Sequence, residues 1–532
     1  PPYSGDSGNQ GDWITQLMRR PLADGADGYF RFNGADLGER NPKWVNNDYV
    51  KFIRLAQDRL ATLGTGVLGY ITSNSYLESP TFRGVRQSLM HTLPHLRIVD
   101  LHGNSKRGET AGGDENVFEI TEGVAIAVGN VQPGLLQRVE HADLTGPRLA
   151  KYETLIARGL QLLAPFTPSG ERLQLVRSSS VGVAEYECGW PLPVIAPVNS
   201  VGIVTARDDL CVHFTEKQAW DTVRDFSQRK AEEARQYYQL GKDARDWQVE
   251  LAQADLQATG PDKRYLQAVL YRPFDVRQTY YTGQTRGFLC MPRPEVMRHM
   301  LVGGNLAISL VRSTEIMGGY EHVFVSNLLT THHTVSIKEV NYHFPLWLQD
   351  GKARKANVPQ TLIAALQTTF SLTPADYRPE DTTAPLHAEK VFHYIYALLH
   401  SPAYRQRYAA FLRTDFPRIP IPGSRAVFNA LAELGSQLVA WHLLEHPDAI
   451  KIEAAHASNT RAPAWFGKDF ALAKVAEKGK ELGELTGTTG KVFINATSGF
   501  ANVRQPIWQH TIGGYQVLHK WLDDRRKAGR SL

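Results

Sequence analysis

The sequence predicts an α/β fold at the start of the chain, followed by a mixed and largely helical remainder. Two observations carry this. Up to about residue 135, helical apolar periodicity alternates with short β-prone apolar runs, the pattern of a sheet covered by helices. Beyond that point the character changes: residues 217–259 are long, charged and poor in β-branched side chains, with acids and bases mixed.

Residues 47–63 predict the first helix of the α/β part. Tyr49, Phe52, Ile53, Ala56, Leu60 and Leu63 recur at helical spacing, Asn46 or Asn47 can cap the start, and Gly64 can end it. Residues 66–72 predict a buried strand, 82–93 a second helix and 96–101 a second strand. Residues 103–116 are polar and glycine-rich, a loop, and 123–128 predict a third strand. No helix separates the last two strands, so they are expected to pair antiparallel at an edge. Farther on, 217–259 read as one or two solvated helices and 265–341 as strands with loops. Residues 388–411 and 426–446 read as helical, and 515–527 as a short amphipathic helix. No internal repeat is found.

With 532 residues, about three domains are expected. Hydrophobic residues make up 42% and charged residues 21%, which excludes wholesale disorder, a collagen-like fibre and a disulfide miniprotein. No run approaches the ~20 apolar residues of a membrane span, and no signal segment opens the chain, so a cytoplasmic location is expected. Cys188, Cys211 and Cys290 are few and far apart, which fits a reducing compartment and no zinc framework. The net charge of +5 permits a polyanionic partner without requiring one.

Residues 64–69 match G-x-G-x-x-G literally, but run from helix to strand. A dinucleotide loop runs from strand to helix, so these glycines read as a helix stop and a tight turn. His332-His333 reads as a polar loop pair and Asp114-Glu115 as solvated loop acids; no metal site is expected. Arg272, Arg277, Arg286, Arg293 and Arg298 interleave with Tyr271, Tyr280, Tyr281 and Phe288. Arg can meet guanine or phosphate and Tyr can reach backbone oxygens. The segment as a whole therefore reads as DNA-facing, while for any one of these residues packing inside the domain is the alternative. Asn104, Lys106 and Arg107 in the glycine-rich loop are candidate phosphate contacts.

Pro1-Pro2-Tyr3 precedes the helix–strand order that leads to 69–74 and then to a loop with Asn116-Val117-Phe118. This arrangement resembles the second half of the catalytic domain of adenine-N6 DNA methyltransferases, of the gamma-class order. The segments 71–77, 81–84, 100–105 and 114–118 resemble the methyltransferase part of type ISP restriction-modification enzymes. The segments 279–283, 286–289, 400–405, 415–420 and 512–518 resemble their target-recognition domain.

The resemblance implies several roles. Tyr3 and Phe118 would stack on the two faces of a flipped adenine. Pro1 would offer a backbone carbonyl to the adenine amine, so Pro1, Pro2 and Tyr3 are the candidate catalytic residues. The S-adenosylmethionine loop would lie upstream of Pro1. The fold implied is the C-terminal half of a Rossmann-like methyltransferase sheet followed by the recognition domain. Its expected divisions are a partial catalytic domain over 1–135, a helical connector and start of the recognition domain over 136–260, a mixed DNA-recognition segment over 261–350 and a mostly helical part over 351–532. The family's Asn before Pro1 is absent, and the chain opens without Met, as a fragment, a broken-gene product or a natural remnant. The parent enzyme is therefore expected to methylate adenine in double-stranded DNA, with nuclease and helicase domains possible upstream, and this chain alone to be inactive. The alternative is a non-catalytic, sequence-specific DNA-binding module.

Overall fold

The computed structural model describes residues 8–38, 43–105, 109, 113–168, 173–177, 182–314, 316, 319–351, 353–451, 465–467, 471–473 and 482–530. The chain forms two compact units, Pro1–Cys188 with Glu315–Gly318, and Gly189–Thr314 with Gly319–Leu532.

In the first unit, α1 (Asp48–Leu63) buries Tyr49, Val50, Ile53 and Leu60, but Phe52 and Leu63 of the expected apolar face are exposed. The inward face instead includes Arg54 and Gln57. Arg54 donates to the carbonyls of Leu17, Asp27 and Arg20, so burial leaves its guanidinium satisfied. Gly64 ends the helix in the left-handed conformation (φ 67°), its N–H on the Leu60 carbonyl. The 64–69 glycines therefore stand at a helix C-terminus, as their order predicts, and the dinucleotide reading falls.

The strands that follow are β1 (Gly66–Ser73), β2 (His95–Asp100) after helix α2 (Arg83–Thr92), β3 (Val124–Val131), β4 (Arg138–Asp143) and, after helix α3 (Arg148–Arg158), β5 (Ala164–Phe166). They form one sheet in the order β1-β3-β2-β4-β5. β3 is antiparallel to both β1 and β2, and β4 is parallel to β2. β1, β2 and β4 therefore run the same way, and their C-terminal ends, Ser73, Asp100 and Asp143, share one rim of the sheet. The antiparallel β2–β3 pair is present, but inside the sheet rather than at its edge. Among the described residues β1 is an edge strand and not a buried one: Val67 is 70% exposed. The sheet also continues past residue 135, through β4 and β5, where the sequence suggested a helical connector.

In the second unit the charged stretch forms three helices, α4 (Glu216–Gln228), α5 (Ala231–Tyr237) and α6 (Val249–Thr259). They pack with the hairpin β6 (Leu266–Arg272) and β7 (Asp275–Tyr280) around a core that includes Phe226, Trp247, Tyr280 and Phe288. A second sheet joins β8 (Ala307–Val311), β9 (Val323–Ser326) and β10 (Asn341–Pro345). Helices α7 (Ala388–His400) and α8 (Arg425–His442) follow; α7 stops before Pro402, which cannot continue a helical hydrogen-bond ladder. The region after 465 is not mostly helical. Gly483–Thr486, Thr489–Phe493 and Gly499–Arg504 form antiparallel strands before the terminal helix Val517–Lys527. Glycines at 483, 487, 490 and 499 interrupt the alternation that would have marked those strands.

Candidate functional site

The strand end at Asp100, the loop after it and the N-terminal half of α3 converge on the segment that presents Phe118. Val117 is buried with Val99, Leu101 and Val124, while Phe118, next to it, is 37% exposed. The backbone between them is held from α3. Lys151 donates to the carbonyl of Glu115 (2.6 Å), Arg148 Nε to that of Asn116 (2.8 Å), the Tyr152 hydroxyl to that of Val117 (2.7 Å) and Arg148 Nη2 to that of Phe118 (3.4 Å). Four consecutive carbonyls are thus read by three side chains at helical spacing i, i+3, i+4.

Asp114 is not a solvated loop acid, whereas Glu115 is exposed, as expected. Asp114 is buried, lies 2.7 Å from the Lys151 ammonium, and accepts from the N–H groups of Gly103 (2.6 Å) and Gly146 (2.7 Å). Glu115 accepts from the Arg148 N–H at the start of α3, where the helix dipole favours an anion. Asn116 closes the loop. Its Nδ2 donates to the carbonyls of Gly103 and Glu122, and its Oδ1 accepts from the Phe118 N–H. Gly103 (φ 81°) admits no side chain, because a Cβ there would lie 2.4 Å from Asn116 Cα.

Beside this loop, at the rim shared by β1, β2 and β4, stands a polar cluster. His102 Nε2 is 3.0 Å from Asp143 Oδ1, and its Nδ1 is 3.9 Å from Glu109. Burial alone would lower the His102 pKa, but the carboxylates of Asp143 and Glu109 override it and push it up to about 10. Burial drives the Asp100 carboxyl upward, opposed by His102 and by the Asn74 amide, which donates to Asp100 Oδ1 at 2.9 Å. Asp100, His141 and Asp143 each bring a donor atom within 4.8 Å of the others. The sequence reading missed this cluster, because its members sit 41 and 2 residues apart with no ligand-like spacing.

The sequence-predicted residues are distributed unevenly. Pro1, Pro2 and Tyr3, and Lys106 and Arg107, lie outside the described residues. Asn104 is buried, its N–H on the Glu109 carboxylate, which corrects the reading of a presented phosphate contact. Tyr280 and Tyr281 are 0% and 4% exposed, within the core of the second unit, and present no ring surface to a duplex. Arg277 is buried between Asp275 (2.8 Å) and Asp524 (2.9 Å) and stacks on Tyr271 and Phe214. For these three the packing alternative holds. Arg272 lies over Tyr271 and donates to its carbonyl. Arg293 is half-buried and reaches the Met291 sulfur. Arg286 is exposed in a left-handed turn (φ 59°), with Nη2 on the Arg245 carbonyl.

No helix among the described residues is long and apolar enough to cross a membrane. Residues 194–531 match a family model described as the Type ISP C-terminal specificity domain. No curated protein matches the chain. Several solved structures are similar in fold, among them the following three. One is the DrdV–DNA complex, at TM-score 0.64 and 20% identity, with 99% of this chain and 52% of that chain covered. Another is a nuclease-deletion mutant of the Type ISP restriction-modification enzyme LlaGI with a DNA substrate mimic, at TM-score 0.62 and 18% identity, covering 100% and 41%. The third is the ATP-dependent Type ISP restriction-modification enzyme LlaBIII bound to DNA, at TM-score 0.62 and 16% identity, covering 98% and 33%. The chain therefore spans between a third and about half of the length of these structures.

Proposed function

The chain belongs to the Type ISP C-terminal specificity domain family, and on that premise we propose that it recognises a specific DNA sequence on behalf of a restriction-modification enzyme. The observation that carries this is the family match over residues 194–531, together with similarity in fold to three structures solved as complexes with DNA or a DNA substrate mimic. Binding-site selection from a randomised duplex pool tests it: an enriched sequence supports the reading, and recovery of the unselected pool removes it.

The finer reading is that the first unit is the target-base half of an adenine-N6 methyltransferase. Two features support it. β1 is an eight-residue edge strand with no charge, proline or bulge, and among the described residues it pairs only with β3. Such an edge is an open template for further strands. The second feature is the fixed Phe118 segment. A base that is to be methylated must leave the duplex, and a half-exposed ring on a rigid backbone can replace part of its lost stacking, worth roughly 1–3 kcal/mol per base in single-strand binders. Tyr3 would take the opposite face, and the Pro1 carbonyl would accept from the adenine amine. Proline suits that place because it brings a carbonyl without a competing N–H.

S-adenosylmethionine is the methyl donor this reading requires. The G-x-G-x-x-G stretch does not fit it, since Gly64 closes a helix and Gly66 opens a strand, so the turn offers no helix N-terminus to an anion. No residue of this chain is assigned to the cofactor. The non-catalytic specificity module is favoured by the same family match, which covers the second unit and not the Phe118 loop. Binding to duplexes carrying an abasic or mismatched position at the selected site separates the two. Tighter binding that depends on Phe118 supports base extrusion, and indifference to the lesion supports the module.

A further inference from the structure

We propose that Asp100, His141 and Asp143 form a binding site for one divalent transition-metal ion, Zn2+ or Mn2+, at the carboxyl-terminal rim of the first unit's sheet.

The placement follows from strand register. Asp100 ends β2 and Asp143 ends β4, and the two are direct partners across parallel strands. His141 precedes Asp143 by two residues, so it leaves β4 on the same face. One donor atom from each lies within 4.8 Å of the others, close enough to be drawn onto a single ion by small rotations. The carboxyl ends of co-directional strands are where α/β sheets hold ligands.

A second observation is independent of the carboxylates. His141 is 1% exposed, and its Nε2 is buried without a hydrogen-bond partner among the described residues. Its Nδ1 lies 3.7 Å from Asp143 Oδ2 and accepts weakly from the Arg177 N–H at 3.3 Å. Because Nδ1 accepts from a backbone N–H, the ring proton sits on Nε2, and an ion would bind by taking the Nδ1 lone pair from the 3.3 Å Arg177 contact. A buried imidazole beside two carboxylates is a donor set that Zn2+ and Mn2+ share and that Mg2+ uses less readily.

The surroundings orient the donors. Asp100 Oδ1 is held by the Asn74 amide and by the His102 N–H, leaving its other oxygen for the ion. Such contacts fix ligand geometry in metal sites. The His102 ring, 3.0 Å from Asp143 Oδ1, would yield its contact to the ion. Bound there, the ion would tie the ends of β2 and β4 together at the point where the chain turns into the loop that leads to Phe118. The site stands whether or not the DNA reading holds.

The test is calorimetric titration of the tag-free, chelator-treated full chain with Zn2+, Mn2+ and Mg2+ in turn, with circular dichroism confirming the fold. The expected result is saturable binding of one Zn2+ or Mn2+ per chain, in preference to Mg2+, with a rise in Tm. Asp100→Asn should weaken it by about tenfold or more. Asp143→Asn, at a half-exposed position that does not threaten the fold, should do the same. A folded chain that binds none of the three ions, or that binds them equally well after both substitutions, overturns the proposal.

Discussion

The ammonium of Lys151 lies 2.7 Å from Asp114, and its remaining protons meet the carbonyls of Leu101 at 2.6 Å and Glu115 at 2.6 Å. Lys151 is completely buried, and the three acceptors match its three donors. The pair joins the end of β2, the Phe118 segment and α3. Replacing Lys151 with Met leaves the Asp114 carboxylate buried and unpaired. Loss of one partner of such a pair costs about 3–5 kcal/mol. Urea unfolding followed by a probe in the first unit should show this loss, and a change below ~1 kcal/mol would mean that the carboxylate finds water.

Phe118→Ala separates presentation from packing. A fully buried Phe truncated to Ala costs about 3–5 kcal/mol, whereas the partial exposure of Phe118 predicts a stability change well under that range. Binding to a selected duplex with an abasic or mismatched target position should weaken by the ~1–3 kcal/mol of one stacking contact. Fluorescence anisotropy on matched and lesion-bearing duplexes checks both halves. A large loss of Tm with unchanged DNA affinity would assign Phe118 to the core.

Arg277 and Arg286 should part ways. Arg277→Ala leaves the buried Asp275 facing only Arg525 and frees Asp524 from one partner, so the second unit should lose stability. Arg286 is exposed, and Arg286→Ala should leave Tm unchanged while reducing the salt dependence of DNA binding by about one phosphate contact. An unchanged salt slope for Arg286→Ala would remove it from the interface.

Acid should destabilise the second unit early. Burial pushes His343 and His400 down to about 3, and His332, His393 and His442 down to about 4. Each is neutral in the folded state, while the unfolded chain takes up a proton near 6.5. Stability from these groups is therefore complete above about 6.5 and falls as pH drops from there toward 4 and 3. Thermal unfolding at pH 7.5, 6 and 5 should show a falling Tm, and a flat profile across that window would contradict the burial of these rings.

The sequence made the α/β alternation, the helix stop at Gly64 and the antiparallel β2–β3 pair legible, because each rests on local periodicity or on a single turn residue. The Phe118 loop was legible only through resemblance, and its support was not. Lys151 acts on Glu115 from 36 residues away, and only the fold brings α3 against that backbone. The Arg and Tyr pattern of β7 was misleading for a related reason. Tyr280 alternates inward on a strand whose partner face is a core, and Arg277 is claimed by Asp524 from the terminal helix. Neither pairing leaves a trace in composition. The order of β4 after residue 135 was hidden because Glu140 and His141 make the strand look polar, although both are buried.

Sequence-selective DNA binding is the central claim, and a salt titration of the intact chain on its selected duplex and on a scrambled duplex of equal length tests it most directly. Both affinities should fall linearly with log salt concentration, and the selected duplex should be held on the order of 10³-fold or more tightly at physiological salt. Equal affinity for the two duplexes at every salt concentration, or no binding to either at low salt, would contradict it.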